Sequence, residues 1–269
     1  MSASPSLLVF DSGIGGLTVA REIRRELPEA RLTYLADTAG FPYGAKPDVV
    51  LVPRILRVIG AALERARPDA VVVACNTAST LALAELRARF AVPFIGCVPP
   101  VKWAASLSRT RHIGVLATPA TVRRAYLRDL AERFAADCTL HAHGSSTLAA
   151  LAEARFRGET VPEAALRAEL DCILSQPGAA AIDVMVLGCT HYGFLEAELA
   201  ALVPPEVAWL DPAGPVARHT RTVVSGLAAM AGEAGLAGTA LFTAPPPDAV
   251  RLLPLLRPFG LERMEVLEG

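Results

Sequence analysis

Two short stretches carry the side chains best suited to proton chemistry: Asp69-Ala-Val-Val-Val-Ala-Cys75-Asn-Thr-Ala78 and Asp183-Val-Met-Val-Leu-Gly-Cys189-Thr-His-Tyr192. Each runs from an aspartate through an apolar strand to a cysteine six positions on, with polar side chains directly after it. A lone free cysteine behaves as a small hydrophobe and is ordinarily core. Two in matching contexts suit a reaction in which a proton leaves one face of a carbon and another arrives on the opposite face, that is, racemisation or epimerisation. A thiol, with an unperturbed pKa of about 8.5, serves as base when ionised and as acid when not. Helix N-termini directly after Cys75 and Cys189 would favour the thiolates, while burial would oppose them. His191 reads either as a satisfied core histidine or as a general acid that modulates the neighbouring thiol.

Two loops could hold a substrate. Asp11-Ser-Gly-Ile-Gly-Gly-Leu-Thr18, with Asp37 closing the next strand, invites a dinucleotide reading, but Thr18 stands where the third glycine of G-x-G-x-x-G belongs, and no P-loop Gly-Lys-Ser/Thr is present. The glycines read equally as a tight strand-to-helix turn. Phe41-Pro-Tyr-Gly-Ala-Lys-Pro47 reads as turn chemistry, or as a loop whose backbone N–H groups and Tyr43 grip a carboxylate.

The elements that must position these groups are of the α/β class. Apolar runs rich in Val, Ile and Leu alternate with amphipathic helices, as in parallel sheets covered by helices. Strands are expected at Leu7 to Asp11, Leu32 to Asp37, Val71 to Cys75, Phe94 to Val98, Ile113 to Thr118, Cys138 to Ala142, Val184 to Cys189, Val207 to Asp211 and Thr239 to Thr243. Helices are expected over Leu17 to Leu27, after Asp48 as a cap with Pro53 kinking or delaying it, and over Ala120 to Ala135 with Pro119 in its first turn. The strands end on Asp11, Asp37, Cys75, Thr118, Cys189 and Asp211, and ligands of open α/β sheets bind beyond such ends. Val98-Pro-Pro-Val101 and Val203-Pro-Pro205 suggest crossings between two halves, each holding one cysteine motif.

Composition narrows the rest. At 269 residues and a net charge of −1, the chain has length for two domains and no basic stripe for nucleic acid. Met1 to Ser6 lacks the features of a signal peptide, and no apolar run reaches the length of a membrane span, so a cytoplasmic protein without membrane partners is expected. Five cysteines without CxxC pairs suit a reducing compartment and disfavour zinc, so no metal is expected. Pyridoxal phosphate would need a lysine, and only Lys46 and Lys102 exist.

Taken together, Val9-Phe-Asp-Ser-Gly-Ile-Gly-Gly-Leu-Thr-Val19, Ala36-Asp-Thr-Ala39, Pro42-Tyr-Gly44, Ala74-Cys-Asn-Thr-Ala-Ser79, Ile113-Gly-Val-Leu-Ala-Thr118 and Leu187-Gly-Cys-Thr-His-Tyr192 resemble the cofactor-independent aspartate/glutamate racemase family over nearly the whole length. The resemblance implies two similar α/β domains, 1–98 with 206–269 and 99–205, glutamate bound between them, no cofactor, and supply of D-glutamate for peptidoglycan. It implies Cys75 and Cys189 as the catalytic thiols, with Cys189 deprotonating L-glutamate and Cys75 D-glutamate, assisted by Asp11 and His191. Asp11, Ser12, Tyr43, Gly44, Asn76, Thr77, Thr118, Thr121, Thr190 and His191 would line the substrate site, and Glu153 loosely matches an acidic residue near the histidine. The chain departs from the family pattern at Gly40, usually arginine, at Pro99-Pro-Val101 and at Gly193-Phe194. A racemase of a related amino acid such as aspartate is the nearest alternative, a non-catalytic nucleotide- or ligand-binding α/β protein a more distant one, and a homodimer stays open.

Overall fold

The structure, a computed structural model, describes residues 4–227, 237–246 and 248–267. Met1 to Ala3 of the N-terminal reading lie outside the described residues. The chain divides into two compact units, Met1–Cys97 with Ala213–Gly269, and Val98–Pro212. The first begins with β1 (Ser6–Asp11), α1 (Leu17–Glu26), β2 (Arg31–Ala36), α2 (Asp48–Ala66), β3 (Ala70–Val73), α3 (Asn76–Arg89) and β4 (Phe94–Gly96). The second holds α4 (Val101–Leu107), β5 (His112–Ala117), α5 (Pro119–Arg123), α6 (Ala125–Phe134), β6 (Thr139–Gly144), α7 (Leu148–Phe156), α8 (Glu163–Leu174), β7 (Val184–Gly188), α9 (Glu196–Ala200) and β8 (Ala208–Leu210). The chain then returns to the first unit through α10 (Ala213–Ser225), β9 (Gly238–Phe242), α11 (Ala249–Leu256) and β10 (Leu261–Val266).

Both sheets are parallel, as strands buried on both faces predict. The first is ordered β10-β9-β2-β1-β3-β4 and the second β6-β5-β7-β8. The first four strands of each unit are therefore wound alike: the opening strand lies between the second and third, and the fourth sits outside the third. Register agrees, with Leu7 opposite Ala70 and Phe10 opposite Val73 in one unit, and Ile113 opposite Val184 and Ala117 opposite Gly188 in the other. Phe10, Leu35, Leu51, Ile55, Val71 and Leu86 build the core on one face of the first sheet. The second sheet is covered by Leu148, Leu166, Ile173 and Leu187 on one face and by Val101, Val115, Leu127 and Val186 on the other.

The repeated aspartates explain themselves as strand anchors. Asp69 Oδ2 accepts the amide of Ser6 at the start of β1, at 2.7 Å. Asp183 accepts the Ser108 hydroxyl and the Arg109 and Thr110 amides just before β5. Burial works against the Asp183 carboxylate, yet these bonds hold its pKa down to about 2.

Several boundaries differ from expectation. Asp48 is the first residue of α2, behind Pro47, rather than its cap. Pro53 lies inside that helix without ending it; it deprives the Val49 carbonyl of a donor, but Val49 is 83% exposed and water can serve. The expected Ala120 to Ala135 helix is two, because Arg124 is extended (φ −72°, ψ 146°) between α5 and α6. β8 pairs with β7 in the second sheet, so the return crossing follows Pro212 rather than residue 205. β10, which pairs with β9, was not expected.

Candidate active site

The winding fixes where chemistry can sit. The chain leaves β1 toward β2 on one side and comes back as β3 on the other, so the loops after β1 and β3 diverge and leave a crevice. Asp11 ends β1 and Cys75 lies just past β3; in the second unit Thr118 follows β5 and Cys189 follows β7. Each unit thus brings one cysteine to its own switch point, beyond the carboxyl ends of its central strands.

In the first unit Cys75 is 6% exposed and is the N-cap of α3. Its Sγ accepts the Ala78 amide at 3.5 Å. An amide donor and the positive end of a fourteen-residue helix stabilise negative charge on that sulfur. Asn76 and Thr77 open the helix and are buried. Both side-chain polar atoms of Asn76 are buried without a hydrogen-bond partner among the described residues. Such a group costs about 1–3 kcal/mol until something bonds to it. Asp11 accepts the Gly13 amide at 2.8 Å, and the Tyr34 hydroxyl donates to the Gly13 carbonyl at 2.7 Å, which pins the turn beside Ser12. At Gly16 a Cβ would lie 2.8 Å from the Asp11 Cβ and 3.0 Å from that of Ala74. The glycine-rich loop is thus a close-packed strand-to-helix turn. Tyr34 was not anticipated; a tyrosine inside a strand gives no sign of an inward hydroxyl partner.

Tyr43 is placed differently from its sequence reading. Its hydroxyl is buried and donates to Asp37 Oδ2 at 2.5 Å, and burial together with the Asp37 charge pushes its pKa up. The phenol therefore anchors the loop, and the backbone around Tyr43 and Gly44 is what the loop can offer an anion. Beside it, the space around Gly40 is filled by Asp37, Arg54 and Tyr43.

In the second unit Cys189 is 7% exposed, and it leads into a five-residue 3₁₀ turn, Thr190–Phe194, rather than an α-helix. His191 takes the helix's place: its Nδ1 lies 3.9 Å from Cys189 Sγ, and its Nε2 lies 3.3 Å from Glu153 Oε1. Arg157 donates to the other Glu153 oxygen at 2.8 Å. The structure thus joins Cys189, His191, Glu153 and Arg157 in one chain of contacts. Arg157 was missed, although it follows Glu153 by four residues, the spacing at which helical side chains meet. Tyr192 donates to the Ala117 and Ser145 carbonyls and ties the turn to β5. Thr118 caps α5 through the Thr121 amide, with the two hydroxyls 3.0 Å apart, and Thr190 is buried beside Cys189.

Cys97, Cys138 and Cys172 lie at neither switch point, and among the described residues no cysteine is joined in a disulfide. A groove of about 860 Å³ lined by Pro53, Leu56, Arg57, Leu63 and Phe90 holds no expected site residue. Among the described residues no cluster of three His, Cys, Asp or Glu side chains could hold a metal, and no helix is long and apolar enough to cross a membrane.

The known proteins that this chain resembles agree with one another. Residues 18–220 match the family described as Asp/Glu/Hydantoin racemase. The chain is 60% identical over 217 residues to a glutamate racemase of Granulibacter bethesdensis, covering 81% of this chain and 78% of that one. It is 47% identical over 219 residues to a glutamate racemase of Brucella ovis, covering 81% and 79%. The crystal structure of Escherichia coli glutamate racemase in complex with L-glutamate and the activator UDP-MurNAc-Ala superposes with a TM-score of 0.92 at 40% identity, covering 98% of each chain. With its doubly wound parallel sheets and a match across most of its length, the chain belongs to the aspartate/glutamate/hydantoin racemase family and is an enzyme of the isomerase class.

Proposed function

We propose that the enzyme interconverts L- and D-glutamate by a two-base mechanism without cofactor or metal, and that it acts in the cytoplasm to supply D-glutamate for peptidoglycan. The observation that carries the mechanism is the placement of one buried cysteine at the switch point of each of two sheets whose first four strands are wound alike. The substrate rests on the named activity of the relatives.

In this reading one thiolate removes the Cα proton, the electron pair passes into the α-carboxylate, and the opposite thiol donates its proton to the other face of Cα. Each turnover leaves the first sulfur protonated and the second ionised, so the enzyme is set for the reverse reaction until the thiols exchange with solvent. Cys75 and Cys189 are the acid and base, and Asp11 and His191 assist. Asn76, whose amide lacks a partner, together with Ser12, Thr77, Thr118, Thr121, Thr190 and the Tyr43-Gly44 backbone, holds the ammonium and carboxylates. Such positioning matters because proton transfer requires hydrogen-bond reach.

A chiral assay on glutamate and aspartate tests the substrate, after dialysis against chelator and with no pyridoxal phosphate added. In deuterium oxide, early D-glutamate formed from L-glutamate carries deuterium at Cα while the residual L-glutamate stays mostly unlabelled. Retention of the original proton in most early product, with slow thiol exchange excluded, would sink the two-base mechanism; turnover of aspartate alone would replace the substrate.

A further inference from the structure

Asp37 closes β2 with its carboxylate 0% exposed, in a place where an isolated charge would be costly. Four bonds reach it from three other segments. The Tyr43 hydroxyl and Arg54 Nε meet Oδ2 at 2.5 and 2.6 Å, and Arg54 Nη2 and the Thr243 hydroxyl meet Oδ1, each at 2.6 Å. The Arg54 pairing is bidentate, the arrangement that adds geometric specificity to charge. The cluster thereby ties together the end of β2, the 38–45 loop, the second turn of α2 and the end of β9. The strand-to-loop join is doubled by exchange between Thr38 and Ala244 and by the Ala39 amide to the Thr243 hydroxyl.

We propose that Arg54, acting through Asp37, is a positioning residue for substrate binding: it fixes the Tyr43-Gly44 backbone against which a substrate carboxylate is held. The inference rests on the glutamate-binding role proposed for that loop. Arg54 itself touches no substrate. Its guanidinium keeps Asp37 ionised and correctly oriented, Asp37 fixes the phenol of Tyr43, and Tyr43 carries the backbone of its own turn. Burial alone would favour the neutral acid; the bonds from Arg54, Thr243 and Tyr43 instead bring Asp37 below the usual carboxylate range. The cluster also accounts for a glycine at position 40. A Cβ there would collide with Asp37 Oδ2 and would stand 2.5 Å from Arg54 Nε and 2.8 Å from Tyr43 Cε1.

The test measures kcat and KM separately, with folded enzyme checked by its melting transition. Arg54→Gln is expected to raise KM for L- and D-glutamate about tenfold or more while kcat falls severalfold at most, since ground-state positioning is lost and the thiols are untouched. Arg54→Lys recovers part of the loss, keeping charge without the bidentate fork. Gly40→Ala raises KM in the wild-type background, because its Cβ would press on Asp37, Arg54 and Tyr43 together, and its effect is less than additive with that of Arg54→Gln, since both disturb the same cluster. Arg65→Gln, which removes an arginine of the same helix paired with Glu265 at the surface, leaves both constants unchanged. Unchanged KM in Arg54→Gln, a fall confined to kcat, or a lowered melting temperature with wild-type kinetics would each overturn the proposal. Wild-type enzyme inactive on glutamate would count against the substrate assignment instead, and the same constants would then be taken on the amino acid that wild type does turn over.

Discussion

The two cysteines occupy equivalent places in equivalent sheets, yet their surroundings solve the same electrostatic problem by different means. Cys75 caps a long α-helix and takes an amide bond from Ala78, so backbone groups of fixed charge lie against its sulfur. Cys189 begins a short 3₁₀ turn and faces His191, which leans on Glu153 and through it on Arg157. Its support is made of side chains, among which the His191 imidazole can take up or release a proton. The two units therefore share the place of the thiol and differ in what surrounds it.

The severest test of this comparison is removal of each sulfur. Cys75→Ala and Cys189→Ala should each lower kcat by at least about 10²–10⁴-fold, the range of general acid–base catalysis. Cys138→Ala and Cys172→Ala should leave it within about twofold. Near-normal turnover in either of the first pair would break the equivalence of the two halves.

His191→Asn and Glu153→Gln should cost less, about tenfold to a hundredfold, because they assist a base rather than replace it. Their effect should be one-sided. Kinetic isotope effects with Cα-deuterated substrates should rise for the isomer that Cys189 deprotonates, L-glutamate in the present assignment, and should not rise for the other. Equal changes for both isomers would show that the histidine chain serves the two thiols alike.

The strand anchors extend the contrast to stability. Asp183 contributes stability that is fully present above about pH 4, its ordinary range, and is lost as pH falls toward its folded value of about 2. Asp183→Asn should cost on the order of 1–2 kcal/mol at neutral pH and flatten the acid limb of the unfolding curve. Asp69→Asn, which loses a single amide bond, should cost less. A smaller gain is expected at Asn76: Asn76→Ala should leave ligand-free stability unchanged or raise it by up to ~1 kcal/mol, since an unpaired amide is removed, while KM rises. Denaturant unfolding alongside a kinetic assay checks both.

Strands were legible where they are buried on both faces. Nine expected strands appear within two residues of their observed ends, and in β1, β3 and β7, buried along their whole length, continuous apolar runs leave little choice of environment. β10 escaped because Leu-Glu-Arg-Met-Glu-Val is a half-exposed edge whose charges hide any apolar run. The division of the Ala120 to Ala135 helix escaped because a single extended residue, Arg124, leaves no mark on periodicity.

The sequence by itself determined the α/β class, the repetition of the two halves and the residues brought to the strand ends. Those follow from local hydrophobic pattern and from motif, which the chain carries linearly. Only the tertiary structure decided that Tyr43 spends its hydroxyl on Asp37, that Arg54 and Thr243 complete that cluster, and that the Asn76 amide finds no partner among the described residues. These depend on contacts between residues as many as 206 positions apart, and no local pattern encodes which buried polar group will find a partner once the elements pack.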